Sequence, residues 1–200
     1  VLTGTVTSPT LAAQIQALLD AYPAAQWHQW EPTARDAERR GIRQALGRDA
    51  QPVYRFDEAR LIFSLDDNFL QERPGSVRYA RDFSDGRRVR EGDTDMNRLY
   101  VAESSFTITG AMADHRLPAR PDAVEAVGRA VARAMGLDGG AVPDLPDEQA
   151  EWAEALARDL QANAGAALVV AGPTMPPAMH ALVHRMNEAL GAVGTTVEYV

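Results

Sequence analysis

The sequence contains no cysteine and no lysine, and its 20 basic residues are all arginine. Without cysteine, the chain offers no disulfide, no thiolate ligand for a metal or an iron–sulfur cluster, and no cysteine nucleophile. Without lysine, it offers no P-loop lysine and no lysine Schiff base. Several classes of catalytic site are therefore excluded for this stretch of sequence.

Long apolar runs are also missing. The longest mostly apolar run, residues 164–172, is too short to cross a bilayer, and residues 1–10 lack the basic start of a signal peptide. The 28 acidic residues give a formal net charge of -8, which argues against nucleic acid as a partner. We therefore expect a soluble segment without direct membrane insertion. Because it starts in a predicted strand without an initiating Met, we expect a fragment of a longer chain.

Apolar segments that alternate with amphipathic helices run through the whole sequence. The predicted strands are residues 1–4, 25–30, 60–65, 97–103 and 166–172, with a further strand at 195–200. Such alternation predicts an α/β, Rossmann-like fold with a mostly parallel sheet of about five to six strands and helices on both faces. Residues 1–137 are predicted to form the main α/β region. Residues 138–148, rich in Gly, Pro and Asp, form a linker, and residues 149–200 continue the same domain.

In parallel sheets of this kind, ligands bind beyond the carboxyl ends of the strands. The residues that follow the predicted strands are therefore the candidate cofactor-binding residues. They are Gly4, Thr5, Thr7, Ser8, Asp66, Asn68, Glu103, Ser105 and Thr107.

Two of these groups have competing interpretations. The segment from Gly4 to Ser8 offers N–H groups and hydroxyls at a helix start, where anions bind, yet Ser8 followed by Pro9 is also an ordinary helix cap. Glu103, an acid at the end of an apolar strand, is suited to hold a nucleotide ribose or base. The Gly4 segment lacks the G-x-G-x-x-G pattern of dinucleotide-binding proteins.

The remaining polar clusters carry weaker signals. Asp66 and Asp67 are adjacent carboxylates that either serve chemistry or form a solvated turn, and neighbouring side chains usually point apart. His180 and His184 lie four apart on a predicted helix without the Glu of H-E-x-x-H, and residues 93–97 lack the Gly and final Glu of a calcium loop. We predict no metal site and no catalytic residue here.

Several segments occur in the order found in one enzyme family. They are "DEARLIFSLDDN" (57–68), "RLYVAESSFT" (98–107) and "ADHRLPARPD" (113–122), with the helix that follows, and "WHQWEPTARDAERRGIRQALG" (27–47) before them. In this order the chain resembles the molybdopterin oxidoreductase family, which includes formate dehydrogenases and dimethyl sulfoxide reductase. The segments 3–10, 74–83 and 109–117 more closely resemble the branch formed by the large, molybdopterin-like iron–sulfur subunits of bacterial alternative complex III.

The resemblance implies an electron-transport assembly on the periplasmic face of the bacterial cytoplasmic membrane, with the chain peripheral to the membrane. It implies quinol oxidation as the reaction of the complex. The implied partners are other subunits of a membrane-bound complex and an iron–sulfur domain elsewhere in the same chain. The family's cofactor is molybdopterin guanine dinucleotide.

Three departures from the family pattern affect that cofactor. Gln29, or its neighbour Trp30, stands where active relatives have a molybdenum ligand. Asp66 stands where they have the Gly of an "IGSN" motif. Residues 103–106 replace a "DPRR" motif, so both phosphate-neutralising arginines are lost. We therefore expect a cofactor-less, structural domain with a vestigial site. The alternative is an active oxidoreductase domain that binds molybdopterin guanine dinucleotide and is completed by regions outside this stretch.

Overall fold

The computed structural model describes residues 1–33, 35–89, 92, 95–141 and 143–200. Asp93 and Thr94 of the rejected calcium loop lie outside these residues, as does Val142 of the predicted linker. The chain forms two compact units, Val1–Asp36 and Ala37–Val200. The boundary between them falls inside the region 1–137 that the sequence presents as continuous.

The first unit is a small β-α-β arrangement. Strand β1 (Leu2–Thr3) pairs in parallel with β2 (His28–Gln29), and helix α1 (Pro9–Ala21) connects them. The Oγ atom of Ser8 accepts a hydrogen bond from the Leu11 amide, so the predicted Ser-Pro cap is confirmed. Leu2 of β1 is 71% exposed. Two residues of pairing on one side leave this strand largely uncovered.

The second unit contains the main sheet. In chain order its elements are α2 (Asp36–Leu46, beginning at the last residue of the first unit), β3 (Pro52–Tyr54), β4 (Leu61–Leu65), α3 (Ser76–Asp85), β5 (Arg98–Glu103), α4 (Ile108–Ala111), β6 (His115–Pro118), α5 (Pro121–Ala134), α6 (Asp147–Ala162), β7 (Ala167–Ala171), α7 (Pro177–Ala189) and β8 (Val197–Tyr199). None of the helices formed by the described residues has the length and apolar character needed to cross a membrane.

The main sheet has four parallel strands in the order β6-β5-β4-β7. This confirms the Rossmann-like α/β class, although the sheet is smaller than the expected five to six strands. The difference arises because β1 and β2 pair only with each other among the described residues, and β3 pairs antiparallel with β8. The expected last strand therefore exists but joins a separate ribbon.

Helices cover both faces of the sheet, as expected. Phe63 of β4 points to one face, where it joins Val127 of α5, Leu156 of α6 and Met179 of α7 in an apolar core. Its neighbour Ile62 lies in the core of the opposite face. This alternation follows from the period of two along a strand, and it explains why β4 is apolar at nearly every position.

The second core is largely aromatic. Tyr79 and Phe83 of α3 meet Phe56 and Phe69 there, and the rings of Phe56 and Phe69 stack with centroids 4.2 Å apart. Phe56 and Phe69 lie just outside β3 and β4, respectively. The cap residue of α3 is Gly75, with φ 87°, and Ser76 is the first helical residue. Gly takes that left-handed conformation without a Cβ clash.

The outer edge of β7 is covered by side chains. Asn187 of α7 accepts a hydrogen bond from the Val169 amide at 2.9 Å and donates to the Val169 carbonyl at 2.8 Å. Thr196 donates to the Ala167 carbonyl at 2.8 Å. These contacts satisfy buried backbone groups that lack a strand partner on this side.

Replacing Asn187 by Ala should lower the free energy of unfolding by about 2 kcal/mol, because both polar groups of Val169 lose their partner in a dry environment. Urea unfolding measures the loss. Thr196→Val removes a single contact and should cost about half as much. Equal losses for the two variants would contradict this account of the edge.

Candidate functional site

The structure divides the predicted site residues between the two units. Gly4, Thr5, Thr7 and Ser8 lie in the first unit, between β1 and α1. The others belong to the second unit, where they lie at the carboxyl ends of the neighbouring strands β4 and β5 or just beyond them. They are Asp66, Asn68, Glu103, Ser105 and Thr107.

Asp66 connects three strand ends. Its Oδ1 atom accepts hydrogen bonds from the Ser104 amide at 2.8 Å and the Ser104 hydroxyl at 3.1 Å. Its Oδ2 atom accepts from the Ser104 hydroxyl at 3.2 Å and the Thr174 hydroxyl at 3.1 Å. The backbone of Asp66 has φ 51°, a left-handed conformation that Asp adopts more readily than most residues. Its carboxylate is thus engaged by the chain itself.

Glu103 is buried, with 1% of its surface exposed. Its Oε1 atom accepts a hydrogen bond from Nε of Arg116 at 2.5 Å, and its Oε2 atom accepts from the Thr107 hydroxyl at 2.6 Å. The Oγ1 atom of Thr107 in turn caps α4 by accepting from the Gly110 amide at 3.0 Å. A Cβ atom on Gly110 would collide with the Glu103 carboxylate. Glu103 therefore stabilises the loop after β5 through these hydrogen bonds and does not face solvent.

Asn68 also points into the protein. Its Oδ1 atom accepts from the amide and the hydroxyl of Thr109 at 3.3 and 3.0 Å, and its Nδ2 atom donates to Gln71 at 3.3 Å. Only 6% of Asn68 is exposed. Ser105, by contrast, is exposed on the loop between β5 and α4.

Asp67 and Asp66 point in different directions, as expected for adjacent residues. Asp67 is buried and pairs with Arg73, whose Nε and Nη2 atoms lie 2.8 and 2.5 Å from Oδ2. Arg73 also donates to Glu38 of α2 at 2.8 Å and to the Ala171 carbonyl at 2.8 Å. Neither Arg73 nor Glu38 was predicted from the sequence, because they lie in a loop and on an amphipathic helix, where charged residues are usually solvated.

The loop after β1 shows the same pattern in the first unit. The Thr5 amide donates to Oε1 of Glu31 at 2.5 Å, and a Cβ atom on Gly4 would lie 2.8 Å from that oxygen. Ser8 caps α1. Glu31 was not predicted from the sequence as the acid for this loop.

Carboxylates of the chain itself thus occupy donor groups at three strand ends. Glu31 accepts a hydrogen bond from the Thr5 amide, and Asp66 accepts from Ser104 and Thr174. Glu103 accepts from Arg116 and Thr107. A dinucleotide cofactor would bring phosphates to donors of this kind and would be repelled by these carboxylates. The described residues of these strand ends therefore do not fit molybdopterin guanine dinucleotide.

Between β4 and β7 the strand ends approach too closely for a side chain. A Cβ atom on Gly172 would collide with the backbone carbonyl of Asp66. Gly172→Ala should lower the free energy of unfolding by about 2 kcal/mol, because the backbone must move to relieve the clash. Gly128→Ala should cost less, since its new methyl group meets side-chain atoms of Leu65 and Met179 at 3.0 to 3.2 Å, which can shift. Thermal or urea unfolding distinguishes the two.

The two helical histidines lie away from water. His180 and His184 of α7 are each 3% exposed, and Nδ1 of His184 is 2.8 Å from the Tyr199 hydroxyl of β8. Within the described residues, no group of three or more His, Asp or Glu side chains is arranged to hold a metal ion. His184 packs against the Tyr199 ring of β8, and His180 lies against Gly41 of α2.

A shallow cavity of about 430 Å³ lies elsewhere in the second unit. It is lined by Asp122, Glu125, Ala126, Arg129, Ala141 and Pro143. Arg129 there is paired with Glu125 at 2.6 Å. None of the candidate cofactor-binding residues lines this cavity, and Asp122 is paired with Arg120, so the strand ends remain the candidate site.

Comparison with known proteins adds no family to this geometry. No family model matches the sequence, and no curated protein matches it.

Proposed function

We propose that this chain is a non-catalytic, molybdopterin-oxidoreductase-like domain that gives structural support to a respiratory electron-transfer complex oxidising quinol. Two lines of reasoning support the proposal. The ordered segments resemble that family across most of the chain, and the Rossmann-like sheet is the type of scaffold on which such enzymes hold a dinucleotide. A fold of this type does not by itself define a function, so the proposal depends on the contacts of the residues at the strand ends.

The buried state of Glu103 is the observation that carries the proposal. An acid that binds a ribose or base must present free carboxylate oxygens to the ligand. Glu103 is 1% exposed, and its two oxygens are bonded to Arg116 and Thr107. Freeing it would leave Arg116 without its acidic partner and would disturb the cap of α4. A domain with this arrangement is poorly suited to bind a cofactor through Glu103.

The partners follow from the same resemblance. We place the domain on the periplasmic side of the bacterial cytoplasmic membrane, as a peripheral part of a complex of the alternative complex III type. Electron carriers belong to an iron–sulfur domain elsewhere in the same polypeptide and to other subunits, because this sequence has no cysteine to ligate a cluster. Its net charge of -8 disfavours nucleic acid as a ligand.

The experiment is a cofactor assay on the intact subunit purified from its complex. Molybdenum is measured by elemental mass spectrometry, and pterin is measured by fluorescence after oxidation, with an active molybdenum enzyme prepared in parallel as the positive control. We expect neither molybdenum nor pterin above background. Stoichiometric amounts of both would contradict the proposal.

A second measurement addresses the alternative of an active, cofactor-binding domain. The 200-residue chain is titrated with guanosine diphosphate and followed by calorimetry. We expect no saturable binding, because the strand-end donors are already engaged. Saturable binding that is lost in Glu103→Gln would favour the alternative and refute the structural role.

A further inference from the structure

Three donors converge on one point at the carboxyl edge of the main sheet. The Ser104 amide and hydroxyl come from the end of β5, and the Thr174 hydroxyl comes from the segment after β7. They lie on either side of β4, and the carboxylate of Asp66 accepts from all of them. Because an amide N–H can only donate, the arrangement suits an anion rather than a metal ion.

The donors are reachable from solvent. Ser104 and Thr174 are exposed and Asp66 is half-buried, and the Asp66 carboxylate occupies the donor groups of both residues. Asp66 is also the sole non-glycine residue with positive φ among the described residues. A residue held in that conformation at a strand end is a common feature of functional sites.

We propose that Ser104 and Thr174 form a latent site for a small oxyanion, of the phosphate class, which the Asp66 carboxylate fills from within the chain. This inference rests on the proposed function, in which the strand-end site is vestigial, and names the group that closes it. A carboxylate resembles one face of a phosphate in charge and in the spacing of its oxygens. Removing it both vacates the donors and removes the charge that repels an incoming anion.

The test is titration of the folded chain with inorganic phosphate, followed by phosphorus NMR or calorimetry. Asp66→Gly removes the carboxylate and suits the positive φ, so it should bind phosphate at least about tenfold more tightly than the unmodified chain. Asp66→Asn keeps the side chain without its charge and should show a smaller gain. Adding Thr174→Val to Asp66→Gly should reverse most of the gain, because one donor is lost. Glu151→Gln, an exposed charge change on α6, is the control and should gain nothing.

The inference is overturned if neither Asp66 variant binds phosphate more tightly, if the gain survives Thr174→Val, or if Glu151→Gln gains as much. Circular dichroism establishes that each variant is folded, and Asp66→Asn decides the outcome if Asp66→Gly does not fold. These results leave the proposed function standing. That proposal fails instead if the unmodified chain carries molybdenum and pterin or binds guanosine diphosphate.

Discussion

Replacing Arg73 by Met is expected to lower the free energy of unfolding by about 3–5 kcal/mol, the largest effect of any single substitution proposed for this chain. Arg73 holds Asp67 through two nitrogens, Glu38 through a third contact and the Ala171 carbonyl through a fourth. Its guanidinium also lies 5.0 Å from the centre of the Tyr54 ring. Methionine fills similar volume but removes the guanidinium charge that faces the buried carboxylates of Asp67 and Glu38.

The groups around Arg73 keep its guanidinium protonated. Burial by itself lowers the pKa of Arg73, but its interactions with Asp67, Tyr54 and Glu38 together raise that pKa well above its ordinary value. Burial has the opposite effect on the Tyr54 hydroxyl and raises its pKa, although Arg73 opposes this rise. Tyr54 therefore stays neutral beside the guanidinium. The cluster joins α2 and the ends of β4 and β7, and its loss therefore affects the whole second unit.

Urea unfolding of Arg73→Met measures this effect. Arg43→Gln is the matched control, because its pair with Asp49 is exposed, with 63% and 73% of the side chains accessible, and should cost about 1 kcal/mol or less. Combining Arg73→Met with Glu38→Gln and Asp67→Asn should recover part of the loss, since the two groups that faced the guanidinium are then neutral. A loss for Arg73→Met no larger than that for Arg43→Gln would contradict the assigned role.

The main strands could be predicted because a strand that is buried on both faces is apolar at most of its positions. Strands β4, β5 and β7 are apolar at most positions, and each lies within a predicted strand. Strand β6 was not predicted, because its four residues include His115, Arg116 and Pro118 and it lies at the sheet edge, where polar residues and proline are tolerated. Strand β3 has three residues, too few to show an alternation.

The candidate site was only half predictable. The strand-end rule located Asp66, Asn68 and Glu103 at the correct edge of the sheet, because it depends on chain direction alone. It could not show that Glu103 is neutralised by Arg116 or that Asp66 reaches Thr174, since those partners come from other segments. The function of a strand-end acid depends on whether its oxygens are free, which is a property of the fold.

Acidification should destabilise the protein through His184. Burial, followed by the charge of His180, lowers the pKa of His184 from 6.5 to about 4, with Glu38 opposing the shift and Arg73 adding to it. At about 1.4 kcal/mol for each unit of pKa, this amounts to about 3 kcal/mol of unfolding free energy. This figure is the total loss of stability as the pH falls from 6.5 to about 4.

The direction of the effect follows from proton binding in the two states. Between pH 6.5 and about 4, the unfolded chain binds a proton at His184 and the folded chain does not, so stability falls as the pH falls through this range. Above pH 6.5 both states are neutral and the contribution is constant. In the fold, Nδ1 of His184 is bonded to the Tyr199 hydroxyl, and Nε2 is buried without a hydrogen-bond partner among the described residues. A second ring proton would therefore enter a dry site.

The measurement is urea unfolding at a series of pH values from 7 to 4, compared with His184→Gln. Carboxylates also titrate towards the acid end, and taking the difference between the two proteins removes their contribution. The difference should grow by about 3 kcal/mol as the pH falls to about 4, because glutamine stays neutral throughout. His28→Gln, which changes an exposed histidine, should leave the pH dependence of the unmodified chain in place. If His184→Gln and the unmodified chain lose stability in parallel, the buried imidazole is not the group that makes this fold sensitive to acid.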